Sequence, residues 1–129
     1  MTWEIEEEEV RQTLALPATD RAGTFFQLVA DWEAAWGLKD SAGWIVAKET
    51  DALPLWPHAA FAAACARGAW ADTTAEPISL NELIEDLLPL LEEDGLSVAV
   101  FPAPENAGVV MAAGALRERL EKEMELGGW

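Results

Sequence analysis

The chain contains one histidine and one cysteine, the residue types that most often act as general base, nucleophile or metal ligand. His58 and Cys65 fall in a segment, residues 57–67, that reads as a helix. Seven residues at ~1.5 Å per residue separate them by about 10 Å along the helix axis. A metal ion needs its ligand atoms within ~2.0 to 2.3 Å. We therefore predict no shared metal, no cofactor and no catalytic residue. His58 is expected to make a local hydrogen bond at the helix start, and Cys65 to be a buried, inert thiol.

Paired carboxylates for acid–base chemistry carry little information in this chain, because 24 acidic residues always place some pair close together. Six acids fall in one helical segment and read first as a solvated face. The same six residues form the candidate acidic interaction surface: Glu82, Glu85, Asp86, Glu92, Glu93 and Asp94.

The charge balance excludes one class of partner. Eight basic and 24 acidic residues give a formal net charge of −16, which repels phosphate backbones. We therefore expect no direct nucleic-acid binding. No apolar run approaches the roughly 18 residues of a membrane span, and the acidic N-terminus has the wrong sign for a signal peptide. We predict no membrane association and a cytoplasmic location.

Tryptophan supplies the second candidate site. The chain has seven Trp and no Tyr, and large amphipathic rings serve both as core residues and as interface anchors. Around the single histidine they could line a groove for a peptide or a small apolar ligand. The candidate binding residues are Trp36, Trp44, Trp56, His58 and Trp70.

The elements that must position these residues are organised around Leu53-Pro54-Leu55-Trp56-Pro57-His58, a short strand that Pro57 turns into a helix. Pro54 indicates an edge strand. Before it, residues 35–39 and 44–48 read as a hairpin, and after it residues 71–77 read as a polar connection. Apolar residues of an earlier helix recur at core-facing spacing, and they are Ala22, Phe25, Phe26, Val29 and Ala30.

The second half begins with a capping box, because Ser79 can accept a hydrogen bond from the Glu82 N–H. Pro89 is expected to bend or restart that helix. Two strands near 96–101 and 109–111 and a final helix follow. The prediction is a single α+β domain over residues 17–129, with a mostly antiparallel sheet of about four to five short strands covered by about five helices. Residues 1–16 form an acidic N-terminal segment that favours a helix.

Several short runs together resemble the bacterial family known as domain of unknown function 2750, over roughly residues 19 to 124. They are Trp36-Gly37-Leu38, Gly43-Trp44, the run from Leu53 to His58, Gly68-Ala69-Trp70, Ile78-Ser79-Leu80 through Leu88-Pro89, and Val98-Ala99-Val100-Phe101-Pro102. The resemblance implies a small bacterial domain and brings no catalytic residues with it.

Two functional hypotheses follow. The favoured one is a non-enzymatic interaction module whose acids meet a basic partner protein. An immunity-like or DNA-mimic role against a cationic nuclease or DNA-binding protein is its most specific form. The alternative is a small-ligand-binding or enzymatic domain with a pocket around Trp56, His58 and Trp70. The sequence leaves a homodimer open.

Overall fold

The computed structural model describes residues 5–48, 50–104, 106 and 108–126, and these form a single α+β domain. The helices are α1 (Glu7–Leu14), α2 (Ala18–Trp32), α3 (Ala59–Ala64), α4 (Leu80–Glu82), α5 (Leu88–Glu93) and α6 (Ala113–Leu126). The strands are β1 (Ala34–Asp40), β2 (Gly43–Trp44), β3 (Ala52–Leu55), β4 (Thr74–Ser79), β5 (Ser97–Val100) and β6 (Val109–Ala112). A 3₁₀ turn, Gly68–Trp70, lies between α3 and β4. A π-turn, Leu83–Leu87, joins α4 to α5 in one helix, so the described chain has the expected five helices.

The strands form two three-stranded sheets, in the orders β2-β1-β4 and β3-β5-β6. Only the β3–β5 pair is parallel, which confirms the mostly antiparallel character. Trp36 and Trp56 connect the sheets, because each donates its backbone N–H to the other's carbonyl at 2.8 Å. Strand β3, which contains Pro54, lies at the edge of its sheet, as that proline indicated.

The expected polar connection at 71–77 is wrong, because β4 begins at Thr74 and pairs with all but the last residue of β1. Its only fully buried residue is Ile78, and its other side chains are exposed or half-buried. An edge strand with one apolar anchor lacks the alternating pattern that identifies strands from sequence. Pro77 fits there because an edge strand tolerates a missing ladder donor.

The core contains the predicted stripe of α2, which is buried at all five positions. It packs with Trp56, Phe61 and Phe101, and with the apolar face of α4 and α5. Phe61 and Phe101 have ring centroids 4.8 Å apart. The side of β3, β5 and α3 that these rings occupy is therefore filled, and open space lies elsewhere.

The acid-bearing helix begins as the sequence predicts, because the Ser79 hydroxyl accepts from the Glu82 N–H at 3.1 Å. Pro89 lies in the first turn of α5 and has no N–H for the preceding carbonyls. The turn before it widens into the π-turn, which confirms the predicted restart. The helix thus holds Leu83, Leu87, Leu88 and Leu91 on the core while its acids face outwards.

Candidate functional site

His58 and Cys65 have separate local roles. His58 is the N-cap of α3, where its Nδ1 accepts the Ala60 N–H at 3.0 Å, as predicted. The Cys65 Sγ lies 3.4 Å from the Pro102 carbonyl oxygen and donates to it. Within the described residues, no group of three or more His, Cys, Asp and Glu side chains could hold a metal ion.

The Cys65 thiol is buried, and that burial controls its chemistry. Desolvation raises the pKa of Cys65 from 9.0 to about 11, against smaller opposing effects of the Trp56 hydrogen bond and of Arg21 and Arg67. At neutral pH the group is a protonated donor to Pro102. A thiol is a poor nucleophile compared with its thiolate, so Cys65 is unreactive at neutral pH.

We expect iodoacetamide to alkylate native Cys65 at pH 8 at least about 100-fold more slowly than the urea-unfolded chain, because two pKa units reduce the thiolate fraction by that factor. Below pH 9 the thiol is protonated in both states. Between pH 9 and about 11 the unfolded chain loses the proton first, so the free energy of unfolding should fall as the pH rises through that window. Equal alkylation rates in the native and unfolded states would show that the thiol is accessible and ionised.

Tryptophan side chains surround the β1–β3 junction without forming one open site. Trp56 is fully buried, and its Nε1 donates to the Pro102 carbonyl at 2.8 Å. Trp70 is half-buried and meets Trp56 edge to face, with ring centroids 6.3 Å apart. Trp36 is half-buried and joins Trp56 through the backbone. The ring of Trp44 covers Gly37, where any Cβ would lie 2.8 Å from it.

The open space lies beside this cluster, in two adjacent cavities of about 810 and 710 Å³. Both are lined by Arg67, Ala103, Pro104 and Asn106, and we call the pair the Arg67 groove. Of the five predicted binding residues, only Trp70 lines it. The groove therefore does not correspond to a pocket centred on Trp56 and His58.

Arg21 is the residue that the sequence analysis missed. It is 3 % exposed and lines the smaller cavity. Its Nε donates to the Phe101 carbonyl at 3.0 Å, and its two terminal nitrogens donate to the Leu16 carbonyl and, at 2.8 Å, to the Asn106 side-chain oxygen. Burial lowers the pKa of its guanidinium from the usual value. The available signal was its position four residues before Phe25, inside the apolar stripe of α2.

The six predicted acids lie on α4, on the π-turn and at the C-terminal end of α5, and we call them the acidic face. All six are exposed, and none forms an ion pair with a described residue. Ion pairs occur instead on α1, between Arg11 and Glu8, and on α6, where they are Arg117 with Glu121 and Arg119 with Glu123. The acidic face is thus a region of uncompensated charge in the described chain.

An apolar side chain is exposed within the acidic face. Leu90 is 52 % exposed, the largest fraction among the exposed large apolar residues that the structure describes. It follows Asp86 by four residues and precedes Glu93 by three, so helical spacing places acids on both sides of it. An apolar centre with a charged rim is the arrangement found at protein interfaces.

A family model described as "Protein of unknown function (DUF2750)" matches residues 22–120, which confirms the resemblance noted above. No curated protein and no solved structure matches the chain. In the part of the chain that the structure describes, no helix has both the length and the apolar character needed to cross a membrane.

Proposed function

The chain belongs to the DUF2750 family, and from this premise we propose that it is a non-enzymatic interaction module whose acidic face binds a basic partner protein. One observation carries the proposal. Six exposed acids, Glu82 to Asp94, have no ion-pair partner among the described residues, although acids of α1 and α6 do.

Helix stability does not account for this arrangement. Glu82 lies three residues before Glu85 and four before Asp86, and like charges at such spacings destabilise a helix by ~0.2–0.5 kcal/mol per pair. Lysine or arginine side chains of a partner would relieve this repulsion on binding. The same charge would accelerate the encounter, because complementary potentials raise association rates strongly at low salt.

Leu90 gives the proposed interface its apolar contact. Salt bridges at an exposed rim contribute little to affinity, whereas a central apolar anchor contributes more because the contacts around it exclude water. A partner with a basic surface and a small apolar depression fits both features. A cationic bacterial nuclease or DNA-binding protein in the cytoplasm is the most specific form of this partner, and for that form duplex DNA should compete with the acidic face.

The test is capture of a partner from a bacterial lysate on immobilised protein, followed by affinity measurements with the purified partner. The face variant carries Glu82→Gln, Glu85→Gln and Asp86→Asn. The matched control carries Asp31→Asn, Glu118→Gln and Glu125→Gln, three exposed acids on α2 and α6. Both variants lose three negative charges, so only the position of the change differs.

We expect the face variant to bind at least about tenfold more weakly than the wild type, and the control to stay within about twofold. Raising the ionic strength from about 0.05 to about 0.5 M should also weaken wild-type binding, because the screening length falls several-fold. Equal losses of affinity in both variants would mean that the acidic face acts only through the net charge of the protein. Binding that is indifferent to salt would contradict the proposal directly.

A further inference from the structure

Four of the eight basic residues of this acidic chain line one groove. Arg11, Arg21, Lys48 and Arg67 line the Arg67 groove, against two described acids, Glu7 and Asp40. In the whole chain the ratio is 8 basic to 24 acidic residues. Glu49 and Glu105 are neighbours of lining residues in the sequence and lie outside the described residues. If both are counted, the numbers of basic and acidic residues are equal, and the ratio of basic to acidic residues is still three times that of the whole chain.

Three of these four cations are not neutralised by the carboxylates that the structure describes, whereas Arg11 pairs with Glu8. Lys48 and Arg67 form no ion pair with any of them. The buried Arg21 donates to two carbonyls and one amide oxygen, all of which are neutral. Three of its five N–H groups are used in this way, and two remain for a further acceptor. A buried cation without a carboxylate is costly, and an anionic ligand would relieve that cost.

The larger cavity also has an apolar part, beside the polar side chains of Thr50, Cys65 and Asn106. Ile45, Val46 and Pro102 line it together with the half-buried ring of Trp70. Its single described acid, Asp40, is occupied by its own turn, because its Oδ1 accepts the N–H groups of Ala42 and Gly43 at 2.8 and 3.2 Å. A volume of about 810 Å³ suits a small organic molecule.

We propose that the Arg67 groove binds a small organic anion. Its oxyanion lies at the junction of the two cavities, against Arg67 and Arg21, and its apolar body lies against Trp70 and Ile45. The net negative charge of the protein does not prevent this, because at physiological salt the screening length is about 8 Å, so distant acids are screened while Arg67 and Arg21 lie against the oxyanion. The site is separate from the acidic face and does not depend on the proposed function.

The test uses four probes in ¹H–¹⁵N NMR titrations of the full chain. They are 2-naphthoate, its neutral analogue 2-naphthamide, phenyl phosphate and inorganic phosphate. Arg67→Gln is the informative variant, because Arg67 is exposed and its loss leaves the core intact. Arg117→Gln is the matched control, an exposed arginine of α6 that does not line the groove.

We expect 2-naphthoate to shift the amide resonances of residues 65–70, 99–101 and 103, and 2-naphthamide to bind at least about tenfold more weakly. Arg67→Gln should weaken naphthoate binding by about tenfold and Arg117→Gln by less than twofold. Tighter binding of phenyl phosphate than of naphthoate would identify the oxyanion as a phosphate ester. Equal binding of acid and amide, an unaffected Arg67→Gln variant, saturation by inorganic phosphate alone, or no shifts up to about 10 mM probe would overturn the proposal.

Discussion

We expect replacement of Trp56 by alanine to lower the free energy of unfolding by about 4 kcal/mol, because truncating a large aromatic side chain in a core lowers stability by ~3–5 kcal/mol. The ring is fully buried, packs edge to face against Trp70, and donates to the Pro102 carbonyl. The backbone of the same residue carries the two hydrogen bonds that join the sheets. A cavity at this position therefore loosens the junction of both sheets. Urea unfolding followed by far-UV circular dichroism measures the change.

Two further variants separate the contributions. Trp56→Phe keeps most of the volume but removes the hydrogen bond to Pro102, and should cost about 1–2 kcal/mol. Trp32→Ala is the matched control, since that ring is 40 % exposed and its truncation should cost clearly less than half as much as Trp56→Ala. Similar losses for Trp32→Ala and Trp56→Ala would mean that Trp56 is not the centre of the core.

Replacing Arg21 by methionine should lower the free energy of unfolding by about 3 kcal/mol. Two effects oppose each other in this variant. Removing a buried, unneutralised cation is favourable, and apolar replacements of buried ions are often neutral or stabilising. Here, however, the acceptors are the Leu16 and Phe101 carbonyls and the Asn106 amide, and the first two are backbone groups that remain after the substitution. The bond to the Phe101 carbonyl is buried, and leaving that acceptor without a donor costs ~1–3 kcal/mol; the partly buried bonds to Leu16 and Asn106 add a smaller cost, so the loss prevails.

The control for Arg21 is Arg117→Met on the surface of α6, which should change stability by less than about 0.5 kcal/mol. Arg21→Lys keeps the charge but loses the planar fork that reaches three acceptors, and should lie between the wild type and Arg21→Met. A methionine variant as stable as the wild type would show that the desolvation of the guanidinium outweighs its hydrogen bonds.

Much of the architecture was predictable from local chemistry. The apolar spacing of α2, the Ser79 cap and the restart at Pro89 each depend on residues close together in the chain, and the structure confirms all three. The fold class followed from the order of such elements. Strand β4 was missed because one apolar residue, Ile78, gives no periodic signal, and its pairing with β1 depends on residues about 40 positions away.

The two candidate sites differ in the same way, since one depends on residues close together in the chain and the other on distant residues. The acidic face could be predicted because its acids share one helix, and helical spacing alone places them outside. The Arg67 groove could not, because it forms where α1, α3 and residues 45–48, 50, 102–104 and 106 meet, and no single segment contains its pattern. The resemblance pointed to the conspicuous Leu53 to His58 run, whose largest side chain, Trp56, is used to build the core instead.

The central claim is that the acidic face is where a basic partner binds, and carboxylate-to-lysine cross-linking of the captured complex tests it most directly. Mapped by mass spectrometry, the cross-links should join partner lysines to Glu82, Glu85, Asp86, Glu92, Glu93 or Asp94 and disappear at high salt. Cross-links confined to the acids of α1 and α6, with the acidic face unmodified, would contradict the claim.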